Sequence, residues 1–349
     1  MIGTEEERAE RLRRWLSERA EVHGALKIER IGFGQSNITS LISDEEGTGW
    51  VLREPPPGTH DPSAHNVLRE ARILTALADT GIPLPTVIGT HEANPFYVMT
   101  RISGAPLESE SDAEKLSPRQ RAVLGQQVIE IFARLHSLEP AAVGLDDLGP
   151  DTDYLPRQMR RAARNWSQWG EHSAHEQIWR YVHSLLEADP PRQQRSVITH
   201  GDYRLSNLLV DSGRITAVLD WELATTGDPL ADLAWLLDDW RGPQEPQIIM
   251  PSPTRAGGFP DRDDLIDMYC AATGFDADSI GYYRAFTHWR AATLLQGVLL
   301  RRRSGAMGEH GALDLVKLDT TIGYLLAEAA VFIHGGCFSS RRTIHGDRW

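Results

Sequence analysis

Within the run ITHGDYRLSNLLVDSGRITAVLDW, three oxygen-bearing side chains fall at intervals suited to chemistry on a phosphate. Asp202 follows His200 and Gly201, Asn207 lies five residues beyond it, and Asp220 comes near the end of the run. Short apolar runs at 196–199, 208–210 and 215–219 flank an Asp-Ser-Gly turn at 211–213, which reads as a small hairpin bringing the two loops together. Phosphoryl transfer from ATP needs a group that orients the attacking hydroxyl and accepts its proton, and oxygen ligands for a Mg²⁺ bridging the phosphates. Asp202 suits the first role; Asn207 and Asp220 suit the second.

The Asp-to-Asn interval matches the protein-kinase catalytic loop H-R-D-L-x-x-x-N, with Gly201 in place of its Arg. That change removes the Arg which a phosphorylated activation loop engages. A loop rich in Asp and Asn can also serve turn geometry alone. The full set of spacings, not His-Gly-Asp by itself, favours chemistry. The same tripeptide recurs at His345–Asp347 without an Asn at the matching distance, and there it reads as coincidence.

A nucleotide site needs a second half. Gly32-Phe33-Gly34-Gln35-Ser36-Asn37, between two strand-like stretches, can fold over phosphates through main-chain N–H groups, the glycines permitting close approach. An ordinary hairpin loop is the other reading. Trp50-Val51-Leu52-Arg53 places a cation where kinases carry the Lys that binds the α- and β-phosphates. Glu70, three and four residues from Val67 and Leu74, borders the apolar face of the next helix. A carboxylate held inward needs a cation, and Arg53 is the nearest in element order; two solvated surface charges are the alternative. Arg grips phosphate as a planar fork rather than as a point charge, so ATP binding is expected while the catalytic rate stays open.

The elements that must position these residues alternate in character. Ala9, Leu12, Leu16 and Ala20 mark an amphipathic helix over 5–23, and stretches around 26–31, 37–43 and 49–53 read as an antiparallel meander. A helical pattern from Pro62 to Thr80 precedes two strands, TVIGTHE and PFYVMTRI. Gly104 to Pro118 is polar and irregular, a candidate linker. Helices follow at 119–137, through most of the chain to 195, from Leu230, at 261–273 and at 280–303. Asp228 stands where an N-cap belongs. The expected fold class is α+β with two lobes: a β-rich nucleotide lobe over 1–103, a helical catalytic lobe over 104–335, and a flexible tail over 336–349.

Composition narrows the function classes. The 349 residues carry a formal net charge of −13, which disfavours non-specific binding to nucleic acid or to an anionic membrane. No apolar run has membrane-spanning length, and Cys270 and Cys337 form no paired motif. Without a signal-like h-region in MIGTEEERAERLRRWL, the cytoplasm is the expected setting.

ITHGDYRLSNLLV, VLDWELATTGDPLADLAWLL and the order GxG, Arg53, Glu70 together resemble the aminoglycoside phosphotransferase family of small-molecule kinases, a branch of the protein-kinase-like fold. FGQSNITSLI, VLREPPPG, FYVMTRISG and YYRAFTHWRAATLLQGVLLRR are most similar to the branch that includes the kinase-like domain of acyl-CoA dehydrogenase fusion proteins. The resemblance covers about residues 26–311. It implies that Asp202 orients the acceptor hydroxyl, that Asn207 and Asp220 hold Mg²⁺, and that Arg53 with Glu70 positions the phosphates. It also implies that adenine meets the chain from Met99 to Ile102, at the backbone of Thr100 and Ile102. Thr100 replaces the Glu common at that position. Asp228 and Asp232 are implied to brace the catalytic loop.

The expected function is ATP- and Mg²⁺-dependent phosphorylation of a small-molecule hydroxyl, with no nucleic-acid or membrane partner. The acceptor is a hydroxyacyl-CoA or hydroxy acid, or an amino sugar. The alternative is a nucleotide-binding protein with little turnover. Trp235 and Trp289 read as core, and Arg301–Arg303 as a complement to a helix C-terminus.

Overall fold

Period-two alternation in ITSLIS and GWVLRE sets Ile42, Trp50 and Leu52 on one side of the chain and Thr39, Val51 and Arg53 on the other. A computed structural model describes residues 5–31, 37–56, 66–304 and 314–336. In it β1 (Lys27–Ile31), β2 (Ile38–Ser43) and β3 (Gly49–Glu54) form the antiparallel meander, and β4 (Val87–His91) and β5 (Phe96–Thr100) complete a sheet of order β1-β2-β3-β5-β4. The register pairs Ile42 with Trp50, and Leu52 with Val98. Helix α1 (Glu5–Ser17) lays Leu12 and Leu16 onto these four, burying one apolar face. The helix stops short of the expected residue 23 because Arg19 and Ala20 both donate to the Leu16 carbonyl in a tight last turn.

The opposite face carries the row Thr39, Arg53 and Tyr97, together with Leu41, Val51 and Met99. Helix α2 (Val67–Leu77) starts at Asn66, whose side chain accepts the Arg69 N–H at 2.9 Å. Its buried residues Val67, Glu70, Ala71, Ile73, Leu74 and Leu77 trace one face.

The described residues cluster into two compact units, Met1–Pro106 with Ala141–Leu145 and Ser206–Ala224, and Leu107–Pro140 with Asp146–Leu205 and Thr225–Trp349. Residues 206–224, which the sequence placed in the helical lobe, thus group with the sheet. There β6 (Ala105–Pro106), β8 (Leu208–Asp211) and β9 (Arg214–Val218) form a small sheet. Val218 N–H donates to the Pro83 carbonyl at 2.9 Å, and the Thr216 hydroxyl to the Ser103 carbonyl at 2.7 Å. The Arg69 guanidinium donates to the carbonyls of Glu222 and Ala224.

In the second unit, α4 (Pro118–Ser137), α5 (Tyr154–Trp169), α6 (Glu176–Ala188), α7 (Pro229–Asp239) and α8 (Arg262–Thr273) assemble with two long helices, α9 (Ile280–Arg303) and α10 (Leu315–Gly336). Helix α9 packs against α5, α6, α7 and α10. Trp289 is fully buried, as core, and Arg301–Arg303 occupy the last turn of α9. The strand β7 (Val197–Thr199) does not join the hairpin; it pairs with β10 (Thr225–Gly227).

The stretch read as a linker contains β6 and a short helix, α3 (Glu110–Glu114). Ser109 and Asp112 form its capping box, and Ala113 is buried, so the local polarity served a helix start. Cys337 and the 337–349 tail lie outside the described residues. No described helix is long and apolar enough to cross a membrane.

Replacing Leu16 with Ala removes a fully buried side chain from under the sheet. The expected loss is about 2–5 kcal/mol of stability, read as an earlier denaturant midpoint.

Candidate functional site

Strand alternation aims Arg53 away from α1 and towards α2, where a nearly fully buried Glu70 waits. The guanidinium donates from Nη2 to both Glu70 oxygens at 3.1 Å and from Nε to Oε2 at 3.3 Å. Its Nη1 donates to the Thr39 hydroxyl at 2.7 Å, and Nη2 also reaches Asp220 Oδ1 at 3.2 Å. Burial lifts the Glu70 carboxyl above its usual range, Arg53 opposes that, and Asp220 adds to it. For Arg53, burial disfavours the charge, but Glu70, Tyr97 and Asp220 outweigh it and keep the guanidinium firmly protonated. Burial and the Glu70 charge push the Tyr97 phenol up.

Asp220 takes a left-handed backbone (φ 65°), which Asp tolerates better than most residues, before the short turn Trp221–Leu223. Leu219 N–H donates to the Asn207 carbonyl at 2.8 Å, so Asn207 and Asp220 are brought side by side at the two ends of the hairpin. Asn37 is 6% exposed, and neither polar atom of its carboxamide has a partner among the described residues. Met99 shares the Arg53 face of the sheet. Thr100 donates its N–H to the Thr86 carbonyl at 2.9 Å, so that N–H is already engaged within the unit. Ile102 lies half-buried in the loop after β5. Gly32, Gly34 and Ser36 fall outside the described residues.

Asp202 belongs to the second unit. The loop before it is pinned by Asp232 on α7, whose Oδ2 accepts the His200 N–H at 2.7 Å and whose Oδ1 accepts the Gly201 N–H at 2.9 Å. Gly201 has φ 82°, a conformation glycine allows without strain. His136 on α4 contacts Asp232 at 3.2 Å through Nε2 and the Tyr269 hydroxyl at 2.6 Å through Nδ1. Burial would raise the Asp232 carboxyl, but His136 and the His200 N–H win and hold it below the ordinary value. Asp228 caps α7, accepting the Leu230 N–H at 3.0 Å, and its other oxygen accepts the Tyr283 hydroxyl at 2.7 Å.

One residue plays a part that its sequence pattern did not suggest. Trp235, read as core, is only partly buried, and its indole N–H donates to Asp202 Oδ1 at 2.8 Å. A signal existed: Asp232 and Trp235, three residues apart, share a face of α7, so the helix that holds the loop also meets Asp202. His136 and His288 are satisfied by partners from other helices, Asp232 and Asp238.

A profile described as a phosphotransferase enzyme family matches residues 27–280. The chain belongs to that family. Over 86% of its length it is 33% identical to acyl-CoA dehydrogenase family member 10 of Mus musculus, and it spans only 29% of that relative. A crystal structure of a candidate aminoglycoside phosphotransferase of Ralstonia eutropha is 26% identical, with a TM-score of 0.78, covering 93% of this chain and 98% of the other. An aminoglycoside phosphotransferase solved with ADP and hygromycin B shares the fold at a TM-score of 0.59 and 16% identity, covering 93% of this chain and 98% of its own. The chain therefore has the protein-kinase-like fold within the phosphotransferase enzyme family.

Replacing Arg53 with Met leaves Glu70 buried without its cation. The expected cost is about 3–5 kcal/mol at pH 8. A carboxyl whose native pKa is raised destabilises the fold as pH climbs through that value, so the deficit should shrink in urea melts at pH 5.

Proposed function

We propose that this family member transfers the γ-phosphoryl group of ATP to a hydroxyl of a small molecule with the help of Mg²⁺. The observation that carries this reading is the Arg53 guanidinium bridging the buried Glu70 and Asp220, with Asn207 tied beside Asp220. Such a cluster sets a cation for phosphate and oxygen ligands for a divalent ion within one unit. Asp220 and Asn207 offer a carboxylate and an amide oxygen, the hard donors that Mg²⁺ prefers, and the Asp220 side chain remains 34% exposed. When bound, Mg²⁺ neutralises charge on the phosphates.

Asp202 serves as the group that orients the acceptor hydroxyl. The hydroxyl oxygen bonds to the γ-phosphorus as the bond to the β-bridging oxygen breaks; ADP leaves and the hydroxyl proton passes to Asp202. Trp235 steadies Asp202 by donating its indole N–H to Oδ1. Arg53, steadied by Glu70 and Thr39, meets phosphate oxygens. The Gly32–Ser36 loop, Asn37 and the main chain from Met99 to Ile102 hold the rest of the nucleotide. The ADP in the fold neighbour's structure supports a nucleotide in this role, and the hygromycin B there supports a small-molecule acceptor. Candidate acceptors are hydroxy acids, their CoA thioesters and amino sugars.

The Arg53–Asp220 ion pair favours a second reading, a nucleotide-binding protein with little turnover, because it occupies a metal ligand with a guanidinium. The two readings part on one variant. Asp202→Asn should lower kcat by roughly 10²–10⁴-fold in an ATP-consumption assay and leave nucleotide affinity unchanged. A wild-type protein that binds ATP yet turns over no acceptor supports the second reading.

A further inference from the structure

Thr39 on β2 and Arg53 on β3 are direct cross-strand partners, and Tyr97 on β5 stands next in the same row. The Tyr97 end of the row is closed, because Tyr97 is fully buried. Glu70 and Asp220 occupy the guanidinium from another side. The Thr39 end is open: Thr39 is half-buried and the Arg53 side chain keeps 12% exposure. In the sequence, β2 follows directly on the glycine-bearing segment 32–36, so Thr39 stands between that segment and Arg53.

The hydrogen bonds of this pair can be counted. A guanidinium has about five N–H donors and no acceptor. In Arg53 the Nε–H goes to Glu70, the two on Nη2 go to Glu70 and Asp220, and one on Nη1 goes to the Thr39 hydroxyl at 2.7 Å. A single Nη1 N–H is left over. Because Arg can only donate, Thr39 Oγ1 must accept at this contact, and its own proton points elsewhere. Among the described residues no acceptor takes that proton. An N–H and an O–H thus remain open beside one another at the accessible end of the row. Neighbouring donors of this kind, one of them on a cation, fit an anion with several oxygens.

We propose that Thr39 is itself a phosphate-binding residue, its hydroxyl proton and the remaining Arg53 N–H meeting oxygens of the nucleotide's phosphates together. The inference rests on the phosphotransferase reading and adds a residue to its nucleotide site. It also accounts for an Arg where kinases carry Lys. An ammonium turns its donors about one point, whereas a planar guanidinium serves phosphate only when held in the right orientation. Glu70 holds one edge of Arg53 and Thr39 the other. The Thr39 hydroxyl therefore steadies the fork and extends it by one donor. A Val at this position would keep the shape of the strand and lose both contributions.

The test is calorimetric binding of ATP, ADP and adenosine, with Mg²⁺ present and absent, to the full chain and to Thr39→Val, which can neither donate nor accept. ADP and ATP should bind the variant roughly 10- to 100-fold more weakly. Adenosine, which has no phosphate, should bind both proteins alike. Thr39→Ser, which restores the hydroxyl, should recover most of the ADP affinity. Where turnover is measured, KM for ATP should rise in Thr39→Val with kcat less affected. If Thr39→Val melts early, Thr39→Ala, which leaves room for a water at Nη1, repeats the measurement. Unchanged ADP and ATP affinity in these variants, or an equal loss for adenosine, overturns the inference and leaves the phosphotransferase reading intact. A wild type that binds ADP with the expected dependence on Thr39 yet turns over no acceptor upholds the inference and defeats the phosphotransferase reading. A wild type that binds no nucleotide overturns both.

Discussion

Asp232 collects the main-chain N–H groups of two consecutive residues on its two oxygens, and this fixes the direction in which Asp202 leaves the loop. Two successive amides can point to one carboxylate only if the chain turns sharply between them, which the left-handed Gly201 permits. The anchor works because it stays ionised: His136, backed by Tyr269, offsets the burial that would otherwise neutralise it. Losing that carboxylate would remove the acceptor of a buried N–H and of a half-buried one at once. It would also loosen α7 from the loop, and α7 is the helix that carries Trp235 to Asp202.

The acidic balance of the chain proves a poor guide to its interior. A net charge of −13 is a property of the surface as much as of the site, and the buried acids described above are each held by their own partners: Glu70 by a guanidinium, Asp232 by His136 and two main-chain N–H groups, Asp228 by Tyr283. Arg53 is shared by two acids, Glu70 and Asp220. Local pairing, not the total, decides whether a buried charge is tolerated.

Much of this was legible in the sequence, for definite reasons. Helix α9 was expected at 280–303 and spans those residues, because a long apolar pattern ends on three Arg. The Arg53–Glu70 pair followed from strand and helix periods, which place each side chain on a face. The short helix at 110–114 was missed although Ser109 and Asp112 spell a capping box, since five residues give too little periodicity to register. The pairing of β7 with β10 was hidden because twenty-five residues and a whole hairpin separate the strands. Periodicity put Trp235 on a helix but could not name the atom its indole would meet.

Neither compact unit is a continuous stretch of chain. The backbone passes from one to the other after Pro106, Pro140, Leu145, Leu205 and Ala224, and one of these crossings falls between Asp202 and Asn207. A cut after Leu205 would strip the sheet unit of residues 206–224, which bond to Pro83 and Ser103. Such an architecture resists exchange of halves between relatives. A hybrid joined after Leu205 would ask the 206–224 stretch of one relative to bond to the Pro83 and Ser103 positions of another.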